Sequence, residues 1–167
     1  MNKEAILNFI VKNDDRSITV ERTFNASLDR VWAAWTEADN LCQWWAPKPW
    51  RCVIKELDFR EGGRWLYCME SPEGDRHWCF FDYEAICPKS FYAGNDSFCD
   101  EQGVASDLKP KVRWENKFSE RDGTTLVQIV LRFNSAQDLN KLIEMGFKGG
   151  LTMGMDQLDE LLTERTI

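Results

Sequence analysis

Four sets of residues have types and spacings that could support chemistry. His77 and Cys79 stand two apart in a run of β-formers and so share one strand face, where a thiol and an imidazole could act as nucleophile and base. Such neighbours lie roughly 7 Å apart at the backbone, and no orienting acid is specified. Glu56 with Asp58, and Asp82 with Glu84, share strand faces in the same way. Acid–base work needs one carboxyl of a pair desolvated, and no enclosing apolar partners stand on those faces, so they read as a solvated sheet exterior. The cysteines fall at 42, 52, 68, 79, 87 and 99 with no Cys-x-x-Cys pair and one histidine to assist them. Buried reduced thiols are expected rather than a metal site or a disulfide framework. No Gly-x-Ser-x-Gly elbow or Gly-rich phosphate loop is present, so no catalytic residue, metal or cofactor is assigned.

The aromatic content is the stronger signal. Eight Trp, ten Phe and three Tyr exceed what a close-packed core of 167 residues needs, which points to a ring-lined cavity or an interface. Trp44, Trp45 and Trp50 fall within seven residues, and such a cluster packs as core, covers a cavity or docks a partner. Strand alternation puts Trp65, Tyr67 and Met69 on one face. It does the same for Val112, Trp114, Asn116 and Phe118, which makes Asn116 an inward amide in need of partners. If His77, Cys79, Phe81 and Tyr83 face inward as well, His77 sits at a cavity mouth.

Elements follow from patterning. Ile18–Phe24 alternates as a half-buried strand, and Asn13-Asp14-Asp15 marks a turn before it, leaving Phe9–Lys12 as either a paired strand or a short helix. Ser27 caps a helix whose face carries Leu28, Val31, Trp32 and Trp35. A second cap at Thr36 starts a short helix that Pro47 and Pro49 stop. Turn signals then separate six strands at about 51–60, 64–70, 77–86, 90–98, 111–119 and 124–133, giving a seven-stranded sheet with the first. Residues 100–110 read as a long loop. Ser135 opens what reads as one continuous helix to about Glu164, with Leu139, Ile143, Phe147, Leu151, Met155, Leu158 and Leu162 on a single stripe. Gly146, Gly150 and Gly154 form a row beside it, which permits close helix packing or leaves space over a concave sheet.

A net charge of -7, with no stripe of Lys or Arg, argues against nucleic acid and anionic membrane surfaces as partners. Met1–Lys12 has no basic leader and does not read as a signal peptide, so a cytoplasmic location is expected. One domain over 1–167, with its core at about 18–164, fits the length.

The order of strand, two helices, six antiparallel strands and a terminal helix is that of an α+β helix-grip fold. The stretches Asp29-Arg30-Val31-Trp32-Ala33-Ala34-Trp35-Thr36, Gln43-Trp44-Trp45-Ala46-Pro47, Glu56 to Trp65, Met69 to Gly74, Asp96-Ser97-Phe98 and Gly150-Leu151-Thr152 before Leu158 to Leu162 carry a resemblance. In order over about 18–164, they resemble the START-like (SRPBCC) superfamily, and within it the branch of homologues of the activator of heat-shock protein 90 ATPase. Ala46 and Leu151 depart from the Gly and Trp that this family usually carries. Eukaryotic co-chaperones of the branch have a further N-terminal domain, for which this chain is expected to have no room. The resemblance implies a curved sheet around the last helix and an apolar ligand between them. The expected ligand-lining set is Trp35, Trp44, Trp45, Trp65, Tyr67, Met69, His77, Phe81, Trp114, Asn116, Gly146, Gly150 and Leu151. The rival expectation is an interaction module that binds a chaperone or a second copy; a cyclase- or hydrolase-like enzyme is the weaker one.

Overall fold

In the computed structural model, residues 7–107 and 110–164 are described. The reading of the N-terminal residues as no leader falls partly on residues 1–6, and the 100–110 loop includes 108–109; both lie outside that set. Asn13–Arg16 is a turn whose last residue has φ 54°. It pairs β1 (Leu7–Lys12) with β2 (Ser17–Phe24), placing Phe9 opposite Val20. Phe9–Lys12 is therefore a strand, and the sheet has eight strands rather than seven.

Ser27 accepts a hydrogen bond from the Arg30 amide, 3.3 Å, and starts α1 (Leu28–Thr36), which a short α2 (Ala38–Leu41) follows. The strands β3 (Arg51–Leu57), β4 (Arg64–Glu70), β5 (Arg76–Cys87), β6 (Phe91–Cys99), β7 (Val112–Arg121) and β8 (Thr124–Arg132) come next. The sheet is antiparallel throughout, in the order β1-β2-β8-β7-β6-β5-β4-β3. Bulges at Ile54/Glu56 and Tyr83/Ala85 bend it, because each inserts an unpaired residue that raises the local twist.

Gly94 lies opposite Tyr83 at the second bulge, where a Cβ would sit 2.2 Å from the Asp82 carbonyl oxygen and 2.5 Å from Phe81 Cε1. Backbone cannot yield to that contact as a flexible side chain can. Gly94→Ala is expected to cost about 3 kcal/mol, or about 6–12 °C in Tm, in a thermal melt. A loss below 1 °C would mean that the bend does not depend on this close approach.

The terminal helical region differs from its expectation. Instead of one helix there are two, α3 (Ala136–Glu144) and α4 (Phe147–Glu164). Gly146 adopts φ +88° and its amide donates to the Ile143 carbonyl, 3.0 Å, closing α3 in the left-handed conformation that glycine alone adopts cheaply. The apolar stripe hides this break because its spacing continues across the junction. Leu139 and Leu142 bury from α3, and Leu151, Met155, Leu158 and Leu162 from α4. They meet Ile18, Val20, Val127, Ile129 and Leu131 on the concave face of β2 and β8 within one hydrophobic core.

Arg51 and Arg76 clamp Glu70 at the end of β4. Arg51 Nε donates to Oε1 at 2.7 Å and Arg76 Nε to Oε2 at 2.9 Å. These bonds, Arg51 first, hold the Glu70 carboxyl below the usual glutamate range. A depressed folded pKa contributes stability above the unfolded value and loses it as pH falls through the folded one. Glu70→Gln is therefore expected to lower Tm at pH 7 and to flatten the decline in Tm below about pH 4. Parallel pH–Tm curves for the two proteins would remove this contribution.

Candidate ligand-binding site

Alternation on the strands delivers one side chain in two to the concave face. Tyr67 and Met69 come from β4, His77 and Cys79 from β5, Asp96 and Phe98 from β6, and Trp114 from β7. Across from them stand Leu142 and Met145 at the end of α3, and Phe147, Gly150, Leu151 and Gly154 from α4. The segment between α2 and β3 closes the side with Trp44, Trp45, Pro47 and Trp50. The result is an outer chamber of about 470 Å³.

The indole wall is held from behind. Trp44 is 1% exposed, packs edge-on against Trp35 at 4.8 Å and donates Nε1–H to the Ala34 carbonyl at 2.9 Å. Trp45 meets Trp65 at 5.2 Å and Trp114 at 5.9 Å. Trp50 covers exposed His77 with ring centroids 5.3 Å apart. Gln157 on α4 fixes the whole segment, donating from Nε2 to the Trp44 and Ala46 carbonyls at 2.9 and 2.8 Å while its Oε1 accepts from the Lys48 amide at 2.9 Å. Gly154 lets α4 approach, since a Cβ there would already touch the Trp45 and Trp44 carbonyls at 3.5 and 3.6 Å. Gln157→Leu is expected to lower stability by about 2 kcal/mol and speed amide exchange across 44–48. Unchanged exchange at Lys48 would show the segment to be held by its rings alone.

Polar groups on this wall are few. Tyr67 OH accepts from Trp45 Nε1 at 3.0 Å, and burial pushes the phenol well above its ordinary pKa, keeping it neutral. Trp114 Nε1 donates to Asp96 Oδ2 at 2.9 Å. The carboxylates considered for acid–base work lie elsewhere. Asp82 takes a two-pronged bond from Arg64 at 2.6 and 2.9 Å, Glu84 is paired with Arg113, and Asp58 with Arg60. Burial pushes the Cys52 thiol far up and Cys99 up to about 11, so neither is a thiolate near neutrality.

Deeper between the sheet and α1 lies an inner chamber of about 10 Å³, lined in part by Trp35, Trp65, Phe81 and Asn116. Trp45, Tyr67, Asp96 and Trp114 border both chambers. Of the residues selected from sequence, Trp44, Trp45, Tyr67, Met69, His77, Trp114, Gly150 and Leu151 thus meet at the outer chamber, and Trp35, Trp65, Phe81 and Asn116 at the inner. Gly146 borders neither and leaves the glycine row, because its positive φ takes it out of the helix. Sequence reasoning missed Phe98 and Asp96, which the parity of Tyr92 along β6 could have placed, and Met145 and Phe147, which only the helix break aims at the chamber.

A bent antiparallel sheet closed by C-terminal helices over a ring-lined hollow is the helix-grip architecture of the START-like (SRPBCC) superfamily. Residues 25–163 match the family described as activator of Hsp90 ATPase homolog 1-like protein, and the chain belongs to that family. Similar solved structures include protein Ms6760 from Mycobacterium smegmatis, 25% identical over 95% of this chain and 97% of that one, with a TM-score of 0.86. A protein from Arthrobacter aurescens is 26% identical over 95% and 92%, with a TM-score of 0.88. The AHSA1 protein from Silicibacter pomeroyi shares the fold at 18% identity over 88% and 97%, with a TM-score of 0.70. No curated protein matches the chain. Among the described residues, no helix is long and apolar enough to cross a membrane.

Proposed function

We propose that the protein binds a small, largely apolar molecule in the outer chamber without covalent chemistry, and that the residues bordering the two chambers are its binding site. The observation that carries this reading is the chamber itself. Its volume falls within the range of about 300–1,000 Å³ typical of small-molecule sites, and its walls are indole, phenyl and aliphatic groups with few polar atoms. The rival interaction module needs Trp44 and Trp50 exposed on a flat surface over a filled interior, whereas Trp44 is buried and Trp50 half-buried beside a hollow. Six free thiols support a reducing, cytoplasmic setting.

Native mass spectrometry of protein from its own host, followed by a thermal-shift panel of lipids and aromatic metabolites, tests the reading. A true ligand at 100 times its Kd is expected to add about 2.7 kcal/mol of stability, raising Tm by about 5–10 °C. A bare mass together with no shift above 1 °C across the panel would defeat it.

A further inference from the structure

The inner chamber collects buried polar atoms that make no hydrogen bond among the described residues. Both amide atoms of Asn116, Oδ1 and Nδ2, are in this condition, as are the indole nitrogens of Trp35 and Trp65. Asn116 and Trp35 are each 1% exposed and Trp65 is 4% exposed, so bulk water does not serve them. A buried amide left unbonded is rare because nothing offsets its desolvation, and here three such side chains converge on one void. They arrive from β7, α1 and β4, elements that have no local reason to bring polar atoms together.

The chemistry of the set selects its guest. Two indole N–H groups and Asn116 Nδ2 donate, while Asn116 Oδ1 accepts. One oxygen that carries a proton can accept from two of the three donors and donate to the amide oxygen. An ether or ketone oxygen leaves Oδ1 unbonded, and a hydrocarbon satisfies neither side. The void of about 10 Å³ is the size of roughly one such group. Trp45, Tyr67, Asp96 and Trp114 border both chambers, so the two share a wall of three rings and one carboxylate, and a guest in the outer chamber lies against the inner one.

Resting on the reading that the outer chamber holds an apolar molecule, we propose that the inner chamber is the polar end of that site: it takes a single hydroxyl oxygen, so the protein selects apolar alcohols or phenols over the same skeletons lacking the hydroxyl. The probes are 2-naphthol and 2-methylnaphthalene, titrated by equilibrium dialysis against the full chain and its Asn116→Leu variant. The variant is expected to lose about tenfold in affinity for the naphthol and to hold methylnaphthalene within about twofold. Trp65→Phe removes one donor and keeps a ring, so it is expected to move the ratio of the two affinities about threefold in the same direction; it serves if Asn116→Leu does not fold.

An equal loss for both probes makes Asn116 a structural residue and overturns the proposal. An unchanged ratio in both variants assigns the inner oxygen to a resident water alone and overturns it as well. If neither probe binds and the thermal-shift panel is also negative, the ligand-binding reading falls and takes the proposal with it. A positive panel without hydroxyl preference overturns the hydroxyl site only.

Discussion

Leu151→Trp is expected to abolish ligand binding while leaving the fold in place. Leu151 projects from α4 into the outer chamber and is 8% exposed, so added ring atoms enter the hollow rather than solvent. The indole takes volume that an apolar guest needs, and affinity for the best ligand from the thermal-shift panel is expected to fall at least about thirtyfold, or about 2 kcal/mol. Filling an apolar void also raises stability, by about 0.5–2 kcal/mol. The signature is thus opposed signs, with Tm level or higher and binding lost. Calorimetric titration and a thermal melt on the same sample read both. Retained affinity would place the ligand somewhere other than this chamber, whatever happened to Tm.

Trp44→Ala is expected to be the most destabilising truncation in the indole cluster. The ring is almost wholly buried, and it contacts Trp35 at 4.8 Å and Trp45 at 5.3 Å. Its removal leaves a cavity and strips the Ala34 carbonyl of the Nε1 donor. Losses of this kind run to about 3–5 kcal/mol, which for a chain of this length corresponds to about 8–15 °C in Tm. Binding is expected to weaken along with stability, because Trp45 loses the ring that backs it. Trp44→Phe separates the two effects. It keeps most of the packing and gives up the hydrogen bond, for an expected cost of about 1–2 kcal/mol. Urea titration of the three proteins measures the differences directly. A cost below 1 kcal/mol for Trp44→Ala would mean that the cluster is a surface patch, as the interaction-module reading requires.

These expectations divide according to how local their causes are. The cap at Ser27 and the alternation that turns Trp65 and Tyr67 the same way each depend on a few neighbouring residues, so both are legible in the sequence. The inward face of β7, with Asn116 between Trp114 and Phe118, was equally legible. The identity of Phe9–Lys12 was not, because three apolar residues and a lysine suit strand and helix alike until Val20 is placed beside Phe9. Nor was the break at Gly146, since the apolar spacing persists through it and only the φ of one residue distinguishes a helix interior from a cap.

The amino-acid order alone carried the helix-grip order of elements and a surplus of rings, because periodicity, capping and turn chemistry act between residues close in the chain. Tertiary structure alone decided that those rings leave a hollow, that it is split in two, and that Asn116, Trp35 and Trp65 share its inner end. A cavity is the small difference between the volume that elements enclose and the volume that their side chains fill. That difference exists only once distant segments have met.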